Sequence, residues 1–96
     1  MLKILLLPEA ENDLELIFEF TCENWSMDQA IKYQNTFYTQ FKLAAKNPEI
    51  AEVYPYSKYT YRKLKVNRHL VFYRVTENEL IIVRILHERM NFRSVL

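Results

Sequence analysis

The chain of 96 residues contains no glycine, one cysteine and three prolines. Without glycine there is no glycine-rich loop to cradle a phosphate, and turns that need positive φ must use asparagine instead. Cys22 cannot form an internal disulfide, and no histidine, lysine or arginine flanks it to favour a reactive thiolate. So little proline and glycine argues against long disordered tails or linkers. The longest apolar runs, such as Ile4–Leu7 and Leu80–Val83, are four residues, far short of the ~20 that span a bilayer. No basic region, apolar core and cleavage site follow one another at the N-terminus, and no metal-ligand spacing is present. These absences predict a cytoplasmic protein that uses neither metal nor cofactor.

What is present is apolar. Half of the residues are hydrophobic and 15% are aromatic, enough for the core of a single domain over residues 1–96. Charge divides along the chain: residues 1–52 hold nine acidic and four basic side chains, residues 53–96 three acidic and nine basic. Halves of −5 and +6 predict one negative and one positive side, the latter suited to an acidic partner, to nucleic acid or simply to solvent.

The elements follow from periodicity. Leu2–Leu7 reads as a short apolar strand. Pro8 suits the first turn of a helix, and Glu9, Glu11 and Asp13 favour its positive end. Ala10, Leu14, Ile17, Phe18, Thr21 and Trp25 recur at helical spacing as one apolar stripe. The helix should stop near Trp25, because Ser26 and Gln29 form a capping box for a second helix. Ala30, Tyr33, Phe37, Phe41, Ala44 and Ala45 make that helix's stripe, and Asn47-Pro48 ends it. So short a joint predicts an antiparallel hairpin. Residues 48–58 read as an irregular crossing. Strands are expected at about Thr60–Val66, His69–Val75 and Leu80–Leu86, with Asn67-Arg68 and Glu77-Asn78 at the turns and asparagine tolerating positive φ. The predicted fold is α+β, in the order β-α-α-β-β-β, with the hairpin on one face of a mostly antiparallel four-stranded sheet.

Several side chains could carry chemistry, and each has a structural counterpart. His87 could be a general base, or a hydrogen-bonded residue at the end of a buried strand. Arg89 could grip a partner or a phosphate, or pair with Glu88. His69 should open an edge-like strand and face solvent. Between Tyr54 and Lys65, tyrosines at 54, 56, 59 and 61 alternate with Lys58, Arg62, Lys63 and Lys65, as on single-strand-binding surfaces or in ordinary sheet packing. Tyr61, Lys63 and Lys65 share one strand face, Arg62, Leu64 and Val66 the other.

Five segments in this order, Leu5–Leu14, Glu23–Ser26, Ala45–Glu49, Val66–Val75 and Ile82–Met90, resemble the ParE branch of the RelE/ParE toxin superfamily of bacterial type II toxin–antitoxin modules. Together they cover most of the chain. It departs from the family at Leu7, where a helix-capping serine or threonine is common, and at Asn67-Arg68 and Ala51, where glycine often stands. The resemblance implies a toxin that arrests growth by binding DNA gyrase and has no catalytic site of its own. His87, Arg89, Met90 and Arg93 are then the expected target-binding residues. It also implies a cognate, ParD-like antitoxin whose disordered C-terminal segment folds on the toxin, contacting Lys63, Lys65 and Arg68 and the outer apolar residues of the hairpin. The alternative is a ribosome-dependent mRNA endonuclease like the RelE branch. It would assemble His87 or His69 with Arg89, Lys63 and Lys65 around one phosphate as base, acid and cation. In this chain that set is partial, because Leu70 stands near a position where the nucleases place an arginine and the tail from Phe92 to Leu96 has no tyrosine. A third reading is a member of the fold that only binds an antitoxin.

Overall fold

The computed structural model describes residues 1–55 and 59–96. Strand β1 (Lys3–Leu6) leads into helices α1 (Pro8–Asn24) and α2 (Met27–Lys46), followed by β2 (Glu52–Tyr54), β3 (Tyr61–Val66), β4 (His69–Val75) and β5 (Glu79–His87). The sheet has the order β1-β5-β4-β3-β2. Only β1 pairs parallel, against β5; the other neighbours are antiparallel. The helical hairpin on a largely antiparallel sheet is the architecture expected, but the sheet has five strands instead of four. The additional β2 lies inside the crossing read as irregular. Its three residues, just before Pro55, are too few to show alternation. Cations on β3 anchor it, Arg62 donating to the Ala51 carbonyl at 2.6 Å and Lys63 meeting Glu52 at 3.1 Å.

The helix ends follow local chemistry. Pro8 opens α1 after Leu7, which makes no side-chain cap, and the Ser26 hydroxyl accepts the Gln29 N–H at 3.0 Å to open α2. Asn47 ends α2 ahead of Pro48. The first hairpin turn uses Asn67 at φ 54°. The second does not follow expectation: neither Glu77 nor Asn78 takes positive φ. There Thr76 closes the turn, its N–H donating to the Glu79 carbonyl and its hydroxyl accepting the Glu79 N–H.

Both sheet faces are buried. The face under the helices packs Val66, Val71, Tyr73, Leu80, Ile82 and Ile85 against Ala10 and Leu14 of α1 and Phe37, Phe41, Ala44 and Ala45 of α2. The opposite face gathers Tyr54, Tyr61, Leu70, Phe72, Ile81, Val83 and Leu86, and is covered by Leu7 and by Phe92 and Leu96 of the C-terminal segment. Burial on both sides explains why β4 and β5 read as continuous apolar runs. It also assigns Tyr54 and Tyr61 to packing, while Tyr59 is exposed; Tyr56 and Lys58 lie outside the described residues.

One charge pair crosses the core. Asp13 of α1 sits among the buried stripe and accepts from Arg84 of β5 through two bonds, at 2.7 and 2.9 Å. The same carboxylate accepts the Ile85 N–H at 2.9 Å. The β1–β5 register ends at Leu6↔Ile82, so the backbone of β5 beyond it has lost its strand neighbour. Asp13 supplies the acceptor that β1 no longer offers.

Candidate functional site

An open groove of about 700 Å³ lies between the C-terminal half of α1, the start of α2 and the β3–β4 turn. Its α1 wall is Leu16, Ile17 and Phe20, its end is Trp25, and Tyr33, His69, His87 and Arg68 complete it. Leu16, Phe20 and Trp25 are 54%, 59% and 69% exposed, a contiguous apolar surface of the kind that marks an interaction site. Trp25 therefore does not belong to the core stripe where its spacing put it. As the C-cap of α1 it turns outward and packs its ring on Phe20, with centroids 6.1 Å apart.

The polar floor of the groove is a histidine pair. The β4–β5 register places His69 opposite His87, and their rings meet edge to face at 5.3 Å. Tyr33 of α2 reaches across the sheet to Nδ1 of His69 at 3.0 Å. Phe37 packs edge-on against the same imidazole. His69 is thus half-buried on an interior strand, not a solvent-facing residue on an edge. Burial, and then the neighbouring His87, depress its pKa below 6.5, while Glu88 and Asp13 pull the other way. Burial raises the pKa of Tyr33. A neutral imidazole and a protonated phenol suit this contact, in which the tautomer of His69 decides which partner donates. His87 accepts the Arg89 N–H on Nδ1 at 3.2 Å, which orders the turn after β5.

The basic residues divide between two places. Lys65 and Arg68 converge beside the groove on Glu88, at 3.3 and 3.6 Å, and the Glu88 N–H donates to the Arg68 carbonyl. These cations hold the Glu88 carboxyl below its ordinary pKa, Lys65 first. Glu88 therefore serves Lys65 and Arg68, where a pair with Arg89 was the alternative reading. Lys63 lies apart, bound to Glu52 with its ammonium 5.9 Å from the Tyr54 ring and 5.7 Å from that of Phe92. Arg89 and Met90 are exposed beyond β5. Arg93 falls in the short 3-10 turn Phe92–Ser94, with its side chain outside the described residues. The structure thus brings together His69, His87, Lys65 and Arg68, and leaves Lys63 elsewhere. Among the described residues, no group of three or more histidine, cysteine, aspartate or glutamate side chains could hold a metal ion. Nor is any helix there long and apolar enough to cross a membrane.

Sequence reasoning missed Leu16, Phe20 and Tyr33 as parts of this surface. The signal for the first two was available: Leu16 and Phe20 stand four residues apart, off the stripe that enters the core.

Comparison with known proteins gives the family to which this helical hairpin on a sheet belongs. Residues 4–92 match the family described as the ParE toxin of the type II toxin–antitoxin system parDE, and the chain belongs to that family. It is 39% identical over 90 residues to Toxin ParE1 of Mycobacterium tuberculosis, covering 93% of this chain and 92% of that protein. To Toxin ParE1 of Caulobacter vibrioides it is 30% identical over 85 residues, 88% of each chain. Its fold matches a chain of the chromosomal ParDE system from P. aeruginosa with a TM-score of 0.76 at 21% identity, over 91% of this chain and 96% of that one.

Proposed function

We propose that this toxin acts in the cytoplasm by binding DNA gyrase and trapping its cleaved DNA complex, and that a ParD-like antitoxin silences it by folding on its surface. The observation that carries a binding role over a catalytic one is the state of the cations. Lys63 is held by Glu52 among Tyr54 and Phe92, apart from His69 and His87, so the full set that the endonuclease reading places around one phosphate is not assembled. A nuclease needs cations free for the developing charge and a base within reach of the attacking hydroxyl. The recess beside the histidines is instead lined mainly by apolar side chains, as a protein-binding groove is.

For the antitoxin, the exposed Leu16, Phe20 and Trp25 suit the apolar anchors of a helix that folds on binding, and Lys65 and Arg68 suit its acidic residues. His87 ends β5 and Arg89, Met90 and Arg93 follow it in the chain; these are the residues assigned to the target. A segment lying in the groove would cover His87, so on this reading neutralisation hides part of the target-binding set.

Purified gyrase tests the proposal. Loss of supercoiling with accumulation of cleaved DNA, reversed by antitoxin, is the expected result. Undiminished supercoiling at toxin excess would contradict it. Ribosome-dependent loss of mRNA in its place would transfer the function to the endonuclease reading.

A further inference from the structure

Most polar side chains that line the groove between α1, α2 and the β3–β4 turn are bonded within the protein. The Thr21 hydroxyl donates to the Ile17 carbonyl at 2.7 Å, Tyr33 and His69 bond each other, and Arg68 meets Glu88. Gln29 is open to solvent. His87 differs. It is half-buried, and its Nδ1 accepts the Arg89 N–H at 3.2 Å. A backbone amide only donates, so that nitrogen keeps its lone pair and the proton of the neutral ring lies on Nε2. One edge of the imidazole is thus tied to its own turn, and the far edge offers a hydrogen-bond donor. Among the described residues no group accepts from it. The neighbouring His69 meets it edge to face at 5.3 Å, without a hydrogen bond between the rings. His69 has no such fixed character, because its tautomer decides whether Nδ1 donates to or accepts from Tyr33.

Solvent can satisfy this N–H while the groove is open. A segment that packs apolar side chains on Leu16, Phe20 and Trp25 displaces that solvent, and a donor then buried without an acceptor offsets part of what the apolar contact gains. The backbone carbonyls of a helix are engaged along its own axis, so the acceptor has to come from a side chain. We propose that His87 is the specificity-determining residue of this groove: its Nε2–H selects an antitoxin helix that carries one side-chain oxygen among the apolar residues it lays on Leu16, Phe20 and Trp25. An all-apolar helix of the same size binds more weakly, because a site built to hydrogen-bond discriminates against a ligand that lacks the group. The inference rests on the antitoxin reading for the identity of the occupant, and adds what that occupant must present to the groove floor.

The test compares two substitutions in the 96-residue chain, titrated with the ParD-like antitoxin of its module at about pH 8, above the ordinary histidine range. His87→Asn sets an amide oxygen at the level of Nδ1, able to accept the Arg89 N–H, and takes the donor out of the groove. His87→Gln carries an amide N–H to the level of Nε2 and gives up the turn bond. Both lose the ring, so their difference isolates the donor, and their unfolding transitions verify that both are folded. The Gln variant should bind antitoxin about tenfold more tightly than the Asn variant. Nitrogen NMR of the wild-type toxin should show His87 protonated at Nε2, with that proton exchanging more slowly once antitoxin is bound. Equal affinity of the two variants, tighter binding by Asn, or a proton on Nδ1 in the free toxin would overturn the inference. Joint Phe20→Ala and Trp25→Ala substitution separates the two possible failures. If it weakens antitoxin binding while the Asn and Gln variants bind alike, this inference alone fails. If it binds as wild type does and the Asn and Gln variants again bind alike, the antitoxin reading of the groove fails as well.

Discussion

Asp13 and Glu88 each hold arginine, yet the two carboxylates have opposite parts in the molecule. Asp13 retains 9% of its side-chain exposure and Arg84 24%, and their two bonds are joined by a third to the Ile85 backbone. Glu88 is 28% exposed and serves Lys65 and Arg68, which are 66% and 70% exposed. The first cluster is desolvated and geometrically complete, so each partner is costly to remove. The second is open to solvent, gives little to stability and leaves its cations ready to exchange one carboxylate for another. Where charge is buried it holds α1 on β5; where it is exposed it prepares a surface for a partner.

Breaking the buried side of this comparison should have the largest effect. Asp13→Ala leaves Arg84 and the Ile85 N–H without an acceptor and should cost about 3–5 kcal/mol in denaturant unfolding. Asp13→Asn keeps an acceptor for the Ile85 N–H and should cost distinctly less, which would show that the carboxylate serves the strand edge as well as the arginine.

At the groove floor, Tyr33→Phe removes the hydroxyl from His69 and should cost about 1 kcal/mol. The same imidazole gives stability a pH dependence. Its folded pKa lies below 6.5, so the unfolded chain binds the proton first. Stability should therefore be full above pH 6.5, decline as pH falls below it, and level off once the folded imidazole is itself protonated. Unfolding midpoints followed from neutral to mildly acid pH would show this as a slope that His69→Phe flattens.

The exposed side should respond least in stability and most in recognition. Glu88→Gln should leave the melting temperature almost unmoved, while freeing Lys65 and Arg68 to tighten binding of an acidic antitoxin segment by a few fold. Charge reversal at Lys65 and Arg68 should weaken the same binding and reduce its dependence on salt. Equal antitoxin affinity after that reversal would confine recognition to the apolar groove.

Much of this architecture can be read from the residues. Pro8, the Ser26–Gln29 spacing, Asn47-Pro48 and Asn67 mark real boundaries because each acts through a local hydrogen bond or a restricted dihedral. The strand β2 is illegible because its stability comes from Arg62 and Lys63 on a neighbour, a dependence that three residues cannot display. Asp13 is different. It falls in the stripe of Ala10, Leu14 and Ile17, and Arg84 interrupts the apolar run of β5, so two opposite charges within buried patterns signal a pair. Reading Asp13 only as a favourable charge at the helix start hides that partner. His69 and His87 are visible as residues, but their contact depends on β4–β5 register, and the path of Tyr33 to them depends on how α2 lies across the sheet. Leu16, Phe20 and Trp25 make a continuous face only once α1 has been rotated to bury Leu14.

Antitoxin affinity of a groove variant tests the central claim most directly. The purified antitoxin should be titrated into the wild-type toxin and into one carrying Phe20→Ala and Trp25→Ala, with folding of both verified by their unfolding transitions. Both side chains are exposed, so the variant should unfold nearly as wild type does while its affinity falls about a hundredfold or more. A folded variant that binds antitoxin as tightly as wild type would contradict the account, because the apolar groove would then not be the surface that silences this toxin.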